Sequence, residues 1–157
     1  MYNNSRQILI TGVVSSLAVA ATAAVRGIAE GQSAWRPINA ISHIVWEKRA
    51  AQRNRFTLQY TGTGLLLNVV ACGFWAWLHR RWHQSRQAPD SFLLSVGSAV
   101  AISALAYVTD YYVVPRRFTP GFELTLSRRS FPWLYGALAV GLVTPDVMAS
   151  GRSKRRK

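Results

Sequence analysis

Asp110 is the residue best placed to do chemistry, and it stands at a boundary. The stretch YVTDYYVVPRRFTPGFE, Tyr107 to Glu123, leaves an apolar run, passes one acid and two tyrosines, then meets Pro115, Arg116, Arg117 and a Pro-Gly turn. A carboxylate at membrane depth is costly unless paired, and an ionisable group there is a functional hypothesis in itself. The expected partners are Arg116, Arg117 or a cation from the connector that follows the first apolar segment; ion or proton handling is the competing role. His43 and Glu47, four apart in PINAISHIVWEKRAAQRNR, share a face if helical and could pair or hold a cation; a solvated polar face is the simpler use. His43, Glu47, Asp110, Arg116 and Arg117 are therefore the candidate polar cluster.

A second pair, His79 and His83 in HRRWH, has the spacing of zinc-binding helices. No Glu or Cys lies beside it, and the flanking Trp75, Trp77 and Trp82 with two arginines read instead as headgroup-layer anchors. Tyr111 and Tyr112 form the corresponding aromatic belt after Asp110. The single cysteine, Cys72, allows no intrachain disulfide or Cys-based metal site. No nucleophile motif or phosphate loop is present, and six acids against 19 Lys and Arg leave little material for paired-carboxylate catalysis. The chain reads as non-enzymatic, with no cofactor or metal.

The elements that must position these residues are set by where charge is missing. Half the residues are hydrophobic and the net charge is +13, yet the two kinds are segregated. Gln7–Val25, Phe56–His79, Ser91–Thr109 and Ser130–Pro145 contain no Asp, Glu, Lys or Arg over 19, 24, 19 and 16 residues. Crossing the hydrocarbon takes roughly 20 helical residues, with a range of about 17 to 25. The fourth reaches that length by running past Asp146 to Ser150. A soluble bundle should show a polar stripe every 3.6 residues, and ILITGVVSSLAVAATAAV offers only Ser and Thr. This first run is also longer than a signal peptide's apolar region and is read as a span.

The predicted fold class is all-α: a polytopic membrane protein of four transmembrane helices at about 7–27, 57–80, 91–113 and 131–149. They form one domain over 1–150, followed by a basic tail, 151–157. Ile38, Ile41 and Val45, with Trp46, predict a short amphipathic helix lying in the interface within the first connector. Asp110 sits roughly 29 Å along the third helix from Ser91, close to the far interface, and Pro115 and Pro120-Gly121 then end the helix and turn the chain.

With four spans, both long connectors share one membrane face and the termini share the other. The terminal side carries nine cations and the connector side ten. Short loops and tails weigh more in the positive-inside rule, which favours cytoplasmic termini in a cell inner membrane. The tail GRSKRRK reads as a contact with anionic lipid, worth on the order of 1 kcal/mol per cation. It does not read as nucleic-acid binding, because no basic-aromatic groove accompanies it. Asp146 falls on the face opposite Asp110, so the two cannot form one pair. Small residues recur at Gly12, Ser16, Ala20 and Ala24, at Ser95, Ala99 and Ser103, and at Gly136 and Gly141. They predict close helix approach within the chain first, and a homodimer or a membrane-protein partner second.

RPINAISHIVW after the first span and YVTDYYVVPRRFTPGFE after the third resemble a family of small bacterial four-helix integral membrane proteins of uncharacterised function, some of which carry transporter-like names such as sodium:proline symporter. A symporter of that type needs many more spans and broken midplane helices, which this chain lacks. The resemblance places the emphasis on the two long connectors. The expected role is a binding module for lipid headgroups, a small anion or a partner, with an oligomeric transporter or channel subunit coupled through Asp110 as the alternative.

Overall fold

Residues 2–85 and 92–154 are described by the computed structural model, with side chains over 5–83 and 92–144. Among these residues the chain is wholly helical. The order is α1 (Tyr2–Ala29), α2 (Trp35–Ile41), α3 (His43–Trp46), α4 (Thr63–Ser85), α5 (Phe92–Val108) and α6 (Phe131–Lys154), joined by short 3-10 and π-helical turns. Three stretches are long and apolar enough to cross a membrane: Ser5–Ala29, Leu58–His83 and Phe92–Val113. The fourth long helix, α6, packs against α1 and α5, while α4 packs against α1 and α5. Residues 86–91, which hold most of the short connector, and the tail's 155–157 lie outside the described residues, as does the side chain of Asp146.

The chain breaks where its local chemistry demands. α1 ends at Gly31, in the left-handed region at φ 73°, with Gln32 N–H donating to Gly27 O at 2.8 Å and Gly31 N–H to Ile28 O at 3.0 Å. This is a Schellman closure, which needs a residue tolerant of positive φ. Thr57 starts the α4 segment: its Oγ1 accepts from Tyr60 N–H at 3.2 Å while its own N–H donates to Thr61 Oγ1 at 3.0 Å. Val114, held extended at ψ 145° before Pro115, stops the α5 segment.

Unlike that of a water-soluble bundle, the outside here is as apolar as the core. Leu17, Leu66, Leu93 (77% exposed) and Val140 face outward, whereas Ser15 (0%), Ser16, Asn68, Ser95 and Ser103 face inward. Small residues let the helices close. A Cβ on Gly12 would meet Gly73 Cα of α4 at 2.8 Å, and one on Gly141 of α6 would strike the Ser15 backbone of α1. Asn68 donates to both Ser16 O and Ser16 Oγ at 2.9 Å, joining α4 to α1. Ser95, Ala99 and Ser103 are likewise buried within the chain, and Ser103 donates to Tyr135 O. Of the noted glycines Gly12, Gly136 and Gly141, only Gly136 faces open space.

The two long connectors pack on each other at one end of the bundle. Gly121, at φ 86°, abuts Ala40 O, and a Cβ there would lie 2.8 Å from His43 Nδ1. Gln32 donates to Thr125 O. Glu30 accepts from Ser127 N–H and Ser127 Oγ at 2.8 Å and from Ser130 Oγ, and lies 3.6 Å from the Arg26 guanidinium.

The first connector differs from the amphipathic surface helix expected of it. α2 is seven residues long, and Pro37, Ile38, Asn39, Ala40 and Ile41 are all buried, packed against α1, α4 and the second connector. Val45 and Trp46 belong to a separate turn, α3, and are exposed. The apolar stripe is therefore divided: protein covers its first half, and the second half is on the surface.

Candidate functional site

Asp110 lies in a π-helical turn, Thr109–Val113, that continues α5. Widened turns of this kind are frequent at functional sites because they re-aim a side chain. Its Oδ2 accepts a 2.7 Å hydrogen bond from the Tyr135 hydroxyl of α6. No described cation forms an ion pair with it, and Arg116 and Arg117 are exposed. The partner expected from sequence was an arginine; the partner found is a phenol 25 residues away. The turn directs the carboxylate into the bundle, whereas Pro115 carries the chain outward before the arginines.

Asp110 and Tyr135 wall a cavity of about 360 Å³. Val19 of α1, Cys72 and Trp75 of α4 and Leu138 of α6 line its sides, while Ile44 and Phe122 of the two connectors close its end. The only other polar side chain in the lining is Asn68. Val70 and Ala71, both exposed, also line it, so the cavity opens sideways on α4. Leu66 and Phe74 flank Val70 at helical spacing and are exposed too, so the opening lies on an apolar outer face.

An aromatic wall stands beside the acid. Tyr111 stacks on Phe131 with centroids 4.8 Å apart and planes 6° apart, and Tyr107 meets Tyr135 edge-on at 5.3 Å. Glu123 Oε2 is buried without a hydrogen-bond partner, and the Tyr111 hydroxyl is buried next to that of Tyr135. Glu123 is held by Thr119 and lies within electrostatic range of Asp110 and Tyr111. Its part in this group was not foreseen, since it follows Asp110 by thirteen residues across two turns.

The other expected residues separate. His43 Nδ1 lies 2.9 Å from Ala40 O, and Glu47 is exposed at φ 57°. They do not pair, because α3 ends at Trp46 before a second turn can bring them to one face. No hydrogen bond joins His43, Glu47 and Asp110 into one acid–base group. Trp77, Trp82 and Tyr112 face outward, but Trp75 is buried in the core and Tyr111 is turned onto Phe131. His79 is also inside, with Nε2 2.9 Å from Ser98 Oγ of α5 and its ring edge-on to His83 at 5.4 Å. Among the described residues no group of three or more His, Cys, Asp or Glu is arranged to hold a metal ion.

Asn39 is the buried polar residue that the sequence reading passed over. Its Nδ2 donates to Arg53 O at 2.9 Å and Arg55 O at 3.0 Å, and its Oδ1 accepts from Thr61 Oγ1 at 2.6 Å. It ties α2 to the start of the α4 segment and so fixes the roof of the cavity. The signal for Asn39 and Asn68 is the same: an amide set among apolar residues.

Comparison with protein-family models, with curated proteins and with solved structures returns no match. The class is thus defined by architecture: an all-helical protein with three helices able to cross a membrane, and a cavity capped by two interlocked connectors.

Proposed function

We propose that this chain is a four-span inner-membrane protein, with α6 as the fourth span and its termini cytoplasmic, serving as a non-enzymatic binding module. Its cavity takes a small amphiphile with an apolar body and a cationic or hydrogen-bond-donating head. The observation that carries the reading is the cavity at Asp110: apolar walls, one carboxylate without a counter-cation, and an opening on an apolar outer face. Pockets that join apolar lining to a few fixed polar groups are the usual form of a small-molecule site. The carboxylate argues against an anion there. The exposed Lys48, Arg49, Arg53, Arg55, Arg116, Arg117, Arg128 and Arg129 on the connectors suit anionic headgroups instead.

The test is native mass spectrometry of the gently solubilised chain with dodecylamine and dodecanol in competition. Wild type should retain one dodecylamine in preference to dodecanol. Asp110→Asn should lose the preference, and Ala71→Phe, at the opening, should lose both ligands. Equal retention by all three proteins would remove the proposal.

A second reading, a transporter or channel subunit, is favoured by the absence of a counter-cation at Asp110 among the described residues and by the nearby unpartnered Glu123 Oε2. It requires a defined oligomer and an ion- or proton-dependent flux in liposomes that Asp110→Asn abolishes. A monomer, or a flux unaffected by Asp110→Asn, excludes it.

A further inference from the structure

A second depression, of about 380 Å³, lies on the outside of the bundle between α5 and α6. Val100 and Ala104 form its α5 edge, and Gly136 and Ala139 its α6 edge. Nothing lies within 4 Å of where a Gly136 Cβ would point, so the missing side chain leaves a notch halfway along. Arg128 and Tyr107 stand at the connector end. Arg128 is exposed and has no ion-pair partner among the described residues, and Arg129 is exposed beside it. The groove contains no acid.

We infer that this groove is a binding site for an anionic phospholipid, with one acyl chain along α5 and α6 and the phosphate at Arg128. The charge layout selects this occupant. A second copy packed here about a two-fold axis along the membrane normal would set Arg128 against Arg128 at equal depth, because an isologous contact repeats each residue, and no carboxylate in the groove would offset them. A lipid supplies the missing charge at the end where the cation stands and an apolar chain where the lining is apolar. A juxtamembrane cation contributes about 1 kcal/mol toward an anionic surface, which corresponds to roughly fivefold in affinity.

This inference rests on the membrane reading but not on the Asp110 cavity. The experiment is native mass spectrometry of the full chain with phosphatidylglycerol and phosphatidylcholine in competition. Wild type should prefer phosphatidylglycerol by about fivefold. Arg128→Gln should abolish the preference, Arg128→Lys should keep it, and Arg55→Gln, on the other connector, should leave it unchanged. Gly136→Leu should reduce retention of both lipids; the open space around Gly136 lets that variant fold, and it should bind dodecylamine as wild type does. No preference, an equal loss in Arg128→Gln and Arg55→Gln, or unaltered binding by Gly136→Leu would overturn the assignment. A dimer broken by Gly136→Leu would give the groove to a second copy. Release of the chain from membranes by alkaline wash would instead sink the membrane reading on which both proposals stand.

Discussion

The Asn39–Thr61 junction permits a quantitative test of how the cavity's roof is held. Asn39→Ala removes three hydrogen bonds, two donated to Arg53 O and Arg55 O and one accepted from Thr61 Oγ1. At about 1 kcal/mol net each the loss is about 3 kcal/mol. The two carbonyls belong to exposed residues and regain water, but the buried Thr61 hydroxyl loses its acceptor, so about 3 kcal/mol is a lower bound. Thr61→Val is nearly isosteric and removes two bonds, to Asn39 Oδ1 and from Thr57 N–H, for about 2 kcal/mol. The double variant removes four bonds, not five, because one is shared. It should cost about 4 kcal/mol, leaving a coupling of about 1 kcal/mol. Unfolding by SDS titration in mixed micelles reads the global values. Trypsin cleavage after Arg53 and Arg55 reads local release, and about 3 kcal/mol should raise it on the order of 100-fold where cleavage follows the open population. If the two substitutions add within about 0.3–0.5 kcal/mol, or cleavage after Arg53 and Arg55 hardly changes, Asn39 does not hold the roof.

Three further outcomes are expected. Burial pushes the Glu30 carboxyl up, but hydrogen bonds from Ser130 and Ser127, with the Arg26 charge, hold it below its ordinary value near 4.5. The clasp between connectors is therefore complete above that value and lost as pH falls below it; Glu30→Gln should flatten the acid limb of the thermal stability curve. Gly12→Leu should force α1 from α4 at Gly73 and cost several degrees in melting temperature, whereas Gly97→Leu, where nothing lies within 4 Å, should be nearly neutral. Cys72, buried in the cavity lining, should react with a small bilayer-soluble maleimide but not with a charged one, and dodecylamine should slow the reaction.

The long helices were legible because charge-free windows and Pro or Gly breaks are local properties of the chain. Their rotation was not. In a bundle whose outside is as apolar as its inside, hydrophobic periodicity carries no phase, and only the small and polar residues point inward. Thus Gly12, Ser16 and Ser103 correctly marked contacts, while Trp75 and Trp77, two apart and chemically identical, faced opposite ways. Asp110 was singled out by its type, but Tyr135 could not be paired with it: the bond depends on the π-helical turn, which has no clear sequence signature. The burial of α2 was hidden for a similar reason, since Ile38 and Ile41 suit a protein interior as well as a lipid surface. Asn39 was the better clue.

The sideways opening at Val70 and Ala71 sets the units in which occupancy has to be counted. On the proposed membrane reading, a molecule that enters there comes from the acyl-chain layer, so the quantity that fills the cavity is moles of ligand per mole of lipid. For a strongly partitioning ligand well below saturation, doubling the membrane at fixed total ligand should roughly halve occupancy, although the total ligand concentration is unchanged. Two laboratories titrating the same preparation at different lipid loads would report different dissociation constants for one unchanged site.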